Sequence, residues 1–318
     1  MRTRALGSSG LQVSEVGLGC NNFGGRIDEG ATREVVAAAL DAGIDFFDTA
    51  DSYGNKGGSE MLLGKILGAR RKDVVLATKF GSSMREGARR DASRRYIMRA
   101  VEDSLRRLRT DWIDVYYLHW PDPLTPIEET LRALDDLVRG GKVRYVGACN
   151  LAAWQVVEAE WTARELGTHH FVCAQNEYSL VERTVEKELL PALAAYDLGL
   201  VPYFPLASGL LTGKYRRDKP APGDSRFAQW QALGERYQTT SHWDRVEKLE
   251  AWCKVRGRTL LELAFAWLLA HGEVASVIAG ATRPDQVAQN AKAADWRLDT
   301  NDLADIDKVL EAPRHEPD

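Results

Sequence analysis

Short apolar segments alternate regularly with longer amphipathic segments along most of this chain, and this alternation constrains the fold more than any other feature. The apolar segments are rich in β-branched and aromatic residues, which favours strands, whereas the segments between them carry apolar residues at helical spacing. The predicted strands cover residues 16–20, 44–48, 73–79, 112–118, 143–149, 171–175, 200–204 and 274–279. Strict alternation of strands with helices is typical of an α/β protein of the (β/α)8 TIM barrel type.

Helices are predicted between these strands and after the last of them. They cover residues 32–42, 59–68, 93–109, 126–139, 152–166 and 184–197, then lie within 241–270, from 284 onward, and at 301–311 as extra C-terminal helices. Residues 2–16 alternate weakly around a Gly-Ser-Ser-Gly sequence, which predicts an N-terminal β-hairpin before the barrel. Residues 207–240 predict a long irregular segment, and such segments in compact proteins are usually functional or mobile.

The overall composition limits the class of protein and its partners. A length of 318 residues fits two domains or one barrel, and the unbroken alternation favours a single domain over residues 1–318. A chain that is 44% hydrophobic and 28% charged is neither disordered nor a coiled coil. The net charge of -4 gives no general attraction for nucleic acid or anionic lipid. Because no signal segment and no apolar run of roughly 18 residues is present, we expect a cytoplasmic protein that does not bind membranes.

Two common kinds of site are not supported by the sequence. Gly17, Gly19 and Gly24 resemble part of a G-x-G-x-x-G dinucleotide motif, but Asn22 stands where the third glycine belongs. The cysteines form no C-x-x-C pair, so we expect reduced, mostly buried thiols and no metal site; they are Cys20, Cys149, Cys173 and Cys253. A Rossmann fold and a zinc protein are therefore not indicated.

Polar residues end most of the predicted strands. In a TIM barrel, function collects at the carboxyl ends of the strands, and the opposite face serves stability. The residues at those ends are Asp48, Lys79, His119, Asn150, Gln175 and Tyr203. One or two such residues would be unremarkable, but six successive strands ending this way predict a functional site.

Four of the ionisable residues near these ends suggest proton transfer. A lysine ammonium beside Tyr53 would lower the pKa of the phenol by about 2 to 3 units from its usual value near 10. Asp48 would keep Lys79 charged, and a neutral His119 could orient a carbonyl oxygen that Tyr53 protonates. Taken alone, Asp48 with Lys79 also fits a structural ion pair, and His119 a core histidine. No nucleophile and no cluster of metal ligands accompanies them, so a nicotinamide cofactor is the simplest hydride donor.

The motifs around these residues resemble the aldo-keto reductase family. The resemblance rests on Phe47–Gly54 with Ser59, Glu60 and Gly64, on 77–79, 118–120, 147–150, 175–178, 203–206, 208–214 and on 280–283 with Gln286 and Asn290. It covers nearly the whole chain and implies that Asp48, Tyr53, Lys79 and His119 are catalytic.

The resemblance also implies which residues hold NADP(H) and the substrate. The implied cofactor-binding residues are Gly19, Asn21, Asp48, Asn150, Gln175, Tyr203, Pro205, Leu206, Ser208, Gly209, Leu211, Lys214, Gly280, Thr282, Arg283, Gln286 and Asn290. The predicted substrate-binding residues are Tyr53 and His119, together with Asn22, Phe23 and Trp120, which lie next to the site in the sequence. These last three, like Phe227 and Trp230 of the irregular segment, could shape the pocket or equally serve packing. Gly280 and Ala281 replace a Lys-Ser pair of some members, which leaves Arg283 as the principal candidate for binding the 2′-phosphate of NADP and keeps NAD as an alternative cofactor.

The expected activity is reduction of an aldehyde or ketone with NADPH, or the reverse oxidation of an alcohol, on a small-molecule substrate. An alternative from another class is a cofactor-binding regulatory subunit with little turnover. A metal-dependent barrel hydrolase lacks the necessary ligand groups. The sequence leaves the natural substrate, the direction of reaction and the oligomeric state open.

Overall fold

The computed structural model describes residues 1–82, 84, 89–223 and 225–311. Its strands are β1 (Thr3–Ala5), β2 (Gln12–Ser14), β3 (Val16–Gly19), β4 (Phe46–Asp48), β5 (Val75–Phe80), β6 (Ile113–Leu118), β7 (Val143–Cys149), β8 (Phe171–Gln175), β9 (Gly199–Leu200) and β10 (Val277–Gly280). Its helices are α1 (Glu29–Asp41), α2 (Tyr53–Leu67), α3 (Arg94–Leu108), α4 (Ile127–Arg139), α5 (Ala153–Leu166), α6 (Leu189–Ala195), α7 (Arg226–Gln229), α8 (Gln231–Tyr237), α9 (Thr240–Val255), α10 (Leu260–Leu269), α11 (Pro284–Ala293) and α12 (Thr300–Glu311). Among the described residues, no helix is both long and apolar enough to cross a membrane.

Eight parallel strands form one sheet in the order β10-β3-β4-β5-β6-β7-β8-β9. The sheet closes where Leu200 meets the segment before β10: the Leu200 amide donates to the carbonyl of Glu273 at 2.6 Å, and the Ala275 amide donates to the carbonyl of Leu200 at 2.9 Å. Closure and alternation confirm the predicted (β/α)8 barrel.

The two-residue period of the strands separates two apolar layers. On β6, Val115 and Tyr117 point into the barrel, while Tyr116 and Leu118 pack in the layer that the surrounding helices cover. Successive side chains of a strand point to opposite faces, so the residue that follows Leu118 points inward again. This periodicity carries the side chain of His119 to the inner rim.

The hairpin that the sequence predicted before the barrel is present as β1 and β2, and it covers the amino-terminal end of the barrel. Leu6 and Val13 are fully buried against inward-facing residues such as Phe46 and Val172. Gly7 has a φ of 61°, and a Cβ there would lie 2.2 Å from the carbonyl oxygen of Val172. Only glycine lets the hairpin approach the barrel so closely.

Two elements are shorter than the sequence predicted. The strand expected over 200–204 is limited to Gly199–Leu200, because Pro202 has no amide hydrogen to give to a neighbouring strand. The helix expected over 184–197 divides into a 3-10 turn, Thr184–Glu186, and α6. Pro191 is tolerated only in the first turn of a helix, so α6 begins at Leu189.

The segment 207–240 is less irregular than expected. It contains a 3-10 turn at Ala207–Thr212 and the short helices α7 and α8, with residue 224 outside the described residues. Stacked aromatic rings hold it together: the Phe227 ring centroid lies 4.3 Å from that of Tyr215 and 6.3 Å from that of Tyr237. The sequence prediction of an irregular segment was therefore wrong for the residues of α7 and α8.

Candidate active site

The registers of β4, β5 and β6 place three ionisable side chains next to one another. Asp48 lies opposite Ala77, and Lys79 lies opposite Tyr117. Asp48, Lys79 and His119 each follow an inward-facing residue by two positions, so all three point toward the barrel axis at its carboxyl end.

Asp48 and Lys79 form a buried ion pair at the centre of this group. The Lys79 Nζ atom lies 2.5 Å from Oδ1 of Asp48, with side-chain exposures of 0% and 4%. Lys79 also donates to the carbonyl of Thr49 at 2.8 Å, and Gln175 donates to Oδ2 of Asp48 at 2.9 Å. Burial acts to lower the pKa of Lys79, but the charge of Asp48, its hydrogen bond and the nearby Tyr53 and Cys149 together outweigh burial and raise that pKa. Lys79 therefore remains an ammonium at neutral pH.

A left-handed turn brings Tyr53 over this pair. Residues 54–57 all have positive φ, which interrupts α2 before its regular part begins. A Cβ on Gly54 would lie 2.3 Å from the carbonyl oxygen of Phe23, so glycine is required there. The turn leaves the Lys79 Nζ atom 4.9 Å from the centroid of the Tyr53 ring.

The acidity of Tyr53 differs from the expectation that Lys79 would lower its pKa below 10. Burial raises the pKa of Tyr53 to about 12; the Lys79 charge opposes this rise, and Asp48 adds to it. Burial is therefore the stronger effect in the protein alone. The phenol holds its proton throughout the neutral range, which is the state that a proton donor needs.

His119 stands beside Tyr53. Their ring centroids are 5.9 Å apart with an interplanar angle of 80°, and the His119 ring stacks on Trp120 at 5.9 Å. Burial, with the charges of Lys79 and Arg90, holds the pKa of His119 well below its usual value of 6.5. The imidazole is therefore neutral, and it has one N–H donor and one acceptor nitrogen.

Two amides and a phenol line the next part of the rim. Asn150, which has a φ of 61°, donates from Nδ2 to the carbonyl of His119 at 2.9 Å and accepts from the Tyr203 hydroxyl at 2.8 Å. Its backbone amide donates to the carbonyl of Gln175 at 3.1 Å. These bonds fix the amide plane of Asn150, and the bond to Asp48 fixes that of Gln175, while each amide keeps a further donor hydrogen or lone pair for a ligand.

A cavity of about 990 Å³ opens above these residues. The residues named from the sequence that line it are Gly19, Asn21, Asn22, Asp48, Tyr53, His119, Trp120, Asn150, Gln175, Tyr203, Pro205, Leu206, Ser208, Gly209, Lys214, Gly280, Thr282, Arg283, Gln286 and Asn290. The structure thus brings the separate motifs of the sequence into one site.

Several residues named from the sequence lie elsewhere. Phe23 and Leu211 are fully buried in the apolar core and do not line the cavity, because their side chains pack between the barrel and the helices. Phe227 is also a core residue, and Trp230 is 45% exposed on the surface. Lys79 lies behind Asp48 and Tyr53, so it acts on them and is not part of the cavity wall.

One end of the cavity has the shape and donors for a phosphate. Ser208 and Gly209 have φ values of 56° and 101°. A Cβ on Gly209 would lie 2.9 Å from Cε of Lys214. The Oγ atom of Ser208 is buried and has no hydrogen-bond partner in the described part of the chain. A buried hydroxyl in this state is costly, and a bound oxyanion would satisfy it.

Helix α11 begins at the opposite wall of the cavity. The Thr282 amide donates to Oε1 of Gln286 at 2.8 Å, and Nε of Arg283 lies 3.1 Å from Oδ1 of Asp285. The side chain of Arg283 is half exposed, and Arg283 lines the cavity. The helix N-terminus adds a partial positive charge.

Sequence reasoning missed a basic residue from the segment 207–240. Arg226 lines the cavity and donates from Nη2 to Oδ1 of Asn22 at 3.1 Å. Burial and the nearby charge of Arg26 lower its pKa. Arg236 and Tyr237 both donate hydrogen bonds to the carboxylate of Glu177, and these bonds fix the position of the segment 207–240. No periodic pattern in the sequence marks Arg226 as a site residue. The sequence signal that could have indicated a helix starting at Arg226 was Ser225, which caps α7 directly before it.

The four cysteines are free and buried, as expected. Within the described ranges, no group of three His, Cys, Asp or Glu side chains is arranged to hold a metal ion.

Comparison with known proteins gives a consistent result. Residues 15–311 match the model of the Aldo/keto reductase family. The chain is 38% identical over 302 residues to a probable voltage-gated potassium channel subunit beta of Oryza sativa subsp. japonica, covering 93% of this chain and 92% of that protein. It is 38% identical over 319 residues to the uncharacterized oxidoreductase YrpG of Bacillus subtilis (strain 168), covering 97% and 95%. It is 33% identical over 325 residues to the aldo-keto reductase YhdN of the same organism, covering 100% and 96%.

Proposed function

Because this chain belongs to the aldo/keto reductase family, we propose that it reduces an aldehyde or ketone to an alcohol with NADPH, or catalyses the reverse reaction. One observation carries this proposal: a protonated phenol, Tyr53, lies against the buried Lys79–Asp48 pair and beside the neutral His119 at the floor of a large cavity. This arrangement is suited to giving a proton to an oxygen atom.

The residues around the cavity fit a nicotinamide cofactor. Asn150 and Gln175 would hold the carboxamide, and Tyr203 would stack on the nicotinamide ring. Ser208, Lys214 and Arg226 would contact the phosphates, since the unpartnered hydroxyl of Ser208 supplies a donor there. When bound, the cofactor supplies the hydride that reaches the carbonyl carbon.

The chain itself manages the proton. Tyr53 donates its hydroxyl proton to the carbonyl oxygen as negative charge develops on that oxygen. The Lys79 ammonium, which Asp48 keeps charged, stabilises the phenolate that remains. His119 donates a hydrogen bond to the same carbonyl oxygen and thereby orients the substrate.

Arg283 is our candidate for the selection of NADP over NAD. Replacing Arg283 with Gln would remove one charge-assisted bond to the 2′-phosphate, and such bonds contribute about 1.5 to 3 kcal/mol. We expect the Kd for NADPH to rise about 10- to 100-fold, and the Kd for NADH to remain unchanged, both measured by quenching of tryptophan fluorescence. An equal change for both cofactors would assign the 2′-phosphate to other residues.

The direct test of the activity is oxidation of NADPH, followed at 340 nm, with a panel of aromatic aldehydes, quinones and sugars. We expect turnover with at least one class of carbonyl and tight binding of NADPH without substrate. Failure to bind either nicotinamide cofactor would contradict the proposal.

A second candidate function is a cofactor-binding regulatory subunit with little turnover. It is favoured by the similarity to plant proteins named probable voltage-gated potassium channel subunit beta. The same assay separates the two: this candidate predicts NADPH binding without turnover of any carbonyl in the panel.

A further inference from the structure

A chain of polar groups runs from His119 through Ser82, at the edge of the cavity, to the buried Asp51, and it has no part in the chemistry described above. Nδ1 of His119 lies 3.0 Å from the hydroxyl of Ser82. The Tyr96 hydroxyl lies 3.3 Å from the carbonyl oxygen of Ser82 and 3.4 Å from Oδ2 of Asp51. Asp51 is only 1% exposed, so this chain ends at a buried carboxyl group.

The Tyr96 hydroxyl has two acceptors but one proton. If Asp51 is ionised, the proton turns toward its carboxylate, and the carbonyl of Ser82 loses its partner. If Asp51 is protonated, the carboxyl donates to the Tyr96 oxygen, and Tyr96 is free to donate to Ser82. The protonation state of Asp51 thus decides whether the Ser82 backbone is held.

The surroundings of Asp51 favour the protonated form. The carboxylate of Glu60 lies nearby and is itself bonded by Thr78 and Arg107, each at 2.6 Å. Burial and the charge of Glu60 raise the pKa of Asp51 to about 8, although Arg107, the Ser52 amide and Tyr96 oppose the rise. Among the described residues, Tyr116 also interacts electrostatically with Asp51, and burial raises the pKa of Tyr116 well above 10.

We propose that Asp51, Tyr96 and Ser82 are positioning residues that fix the tautomer of His119: protonated Asp51 donates to Tyr96, Tyr96 donates to the Ser82 carbonyl, and the Ser82 hydroxyl donates to Nδ1. A neutral imidazole carries one proton, so an accepting Nδ1 leaves the proton on Nε2. Nε2 makes no hydrogen bond with the described part of the chain and is therefore free to donate to a ligand. The inference rests on the proposed function for its effect on catalysis, but the tautomer itself is independent of any reaction.

The tautomer can be read by long-range proton–nitrogen correlation NMR of the 15N-labelled protein, with the His119 signals assigned from a His119→Gln variant. We expect an unprotonated Nδ1 and a protonated Nε2 in the wild type, and a mixture of tautomers in Ser82→Ala. Ser82→Thr keeps the hydroxyl and should restore the wild-type spectrum. A protonated Nδ1 in the wild type, or an unchanged spectrum in Ser82→Ala, would overturn the proposal even if the protein had no reductase activity.

The proposal also predicts how the rate of reduction depends on pH. Single-turnover reduction should slow above about pH 8 in the wild type, because ionised Asp51 no longer donates and Tyr53 titrates far above this range. Asp51→Asn keeps a permanent donor to Tyr96, so its rate should stay high and level across pH 7–9. Tyr96→Phe breaks the chain at every pH, so its rate should be level and about 10-fold lower. A high and level profile in the wild type, or an unchanged alkaline decline in both variants, would contradict the proposal.

Discussion

The two ends of the barrel interior are closed by opposite kinds of residue. At the amino-terminal end, the hairpin inserts Leu6 and Val13, which are fully buried and apolar. At the carboxyl end, the barrel encloses the Asp48–Lys79 pair, which is equally buried but charged. Burying an aliphatic side chain stabilises a fold by about 1.5 to 3 kcal/mol, whereas a buried ion pair roughly breaks even against apolar residues.

This difference shows how the barrel separates stability from reactivity. Leu6 and Val13 at the apolar end contribute to folding, and their side chains carry no group that could react. The charged end contributes little net stability, so its residues are best explained by what they do to Tyr53. Substitutions at the two ends should therefore change different quantities.

The largest effect should follow from Lys79→Met. It leaves Asp48 buried and unpaired, which we expect to reduce the free energy of unfolding by about 3 to 5 kcal/mol and to abolish turnover. Denaturant unfolding measures the free energy of unfolding, and NADPH oxidation measures turnover. The double variant Asp48→Asn with Lys79→Met should recover much of the stability but none of the turnover. Turnover in the double variant would contradict the assignment of reactivity to the charged end of the barrel.

Leu6→Ala should affect folding alone. Removing this buried side chain from the hairpin should cost about 2 to 5 kcal/mol of unfolding free energy, because the neighbouring barrel residues cannot fill the space. We expect kcat at 25 °C to stay within about twofold of the wild type. The matched control is Leu124→Ala, since Leu124 is 70% exposed and its loss should have little effect on stability. A large fall in kcat for folded Leu6→Ala would show that the two ends are coupled.

A smaller effect is expected from an ion cluster at the hairpin end. Burial acts to raise the pKa of Glu15, but hydrogen bonds from Arg4, Arg297 and Arg2 outweigh it and lower that pKa below 4.5. Glu15 therefore stabilises the fold above its unfolded pKa, and this stabilisation is lost as the pH falls through the lowered folded value. Glu15→Gln should cost about 1 kcal/mol at neutral pH, allowing for solvent screening of the arginines.

The test of this prediction is denaturant unfolding of Glu15→Gln and the wild type at several pH values. The difference between them should be constant near neutral pH and should shrink at acidic pH. Glu29→Gln is the control on an exposed ion pair and should change stability less. A Glu15→Gln difference that grows as the pH falls would contradict the assigned sign.

Much of the fold and the centre of the site could be predicted from the sequence, because both depend on local patterns. The positions of Asp48, Lys79 and His119 at strand ends predicted a common site, because the strand ends are where a barrel places its site, and the strand registers bring them together. The limits of β9 and α6 were wrong because single prolines, Pro202 and Pro191, outweighed the apolar pattern.

Other features depend on distant contacts that the sequence does not display. Phe23 follows the first strand closely but turns into the core. Arg226 reaches the cavity only because the segment around it folds across the barrel and is held at Glu177. The acidity of Tyr53 was predicted with the wrong sign, since the cost of burial outweighs the charge of Lys79.

The central claim is that Tyr53 gives the proton that completes carbonyl reduction. The most direct measurement is the single-turnover rate of Tyr53→Phe with saturating NADPH and an aldehyde that the wild type reduces. A general acid contributes about 100- to 10,000-fold, so we expect a loss of that size with an unchanged Kd for NADPH by tryptophan fluorescence. Reduction at the wild-type rate by Tyr53→Phe would contradict the claim.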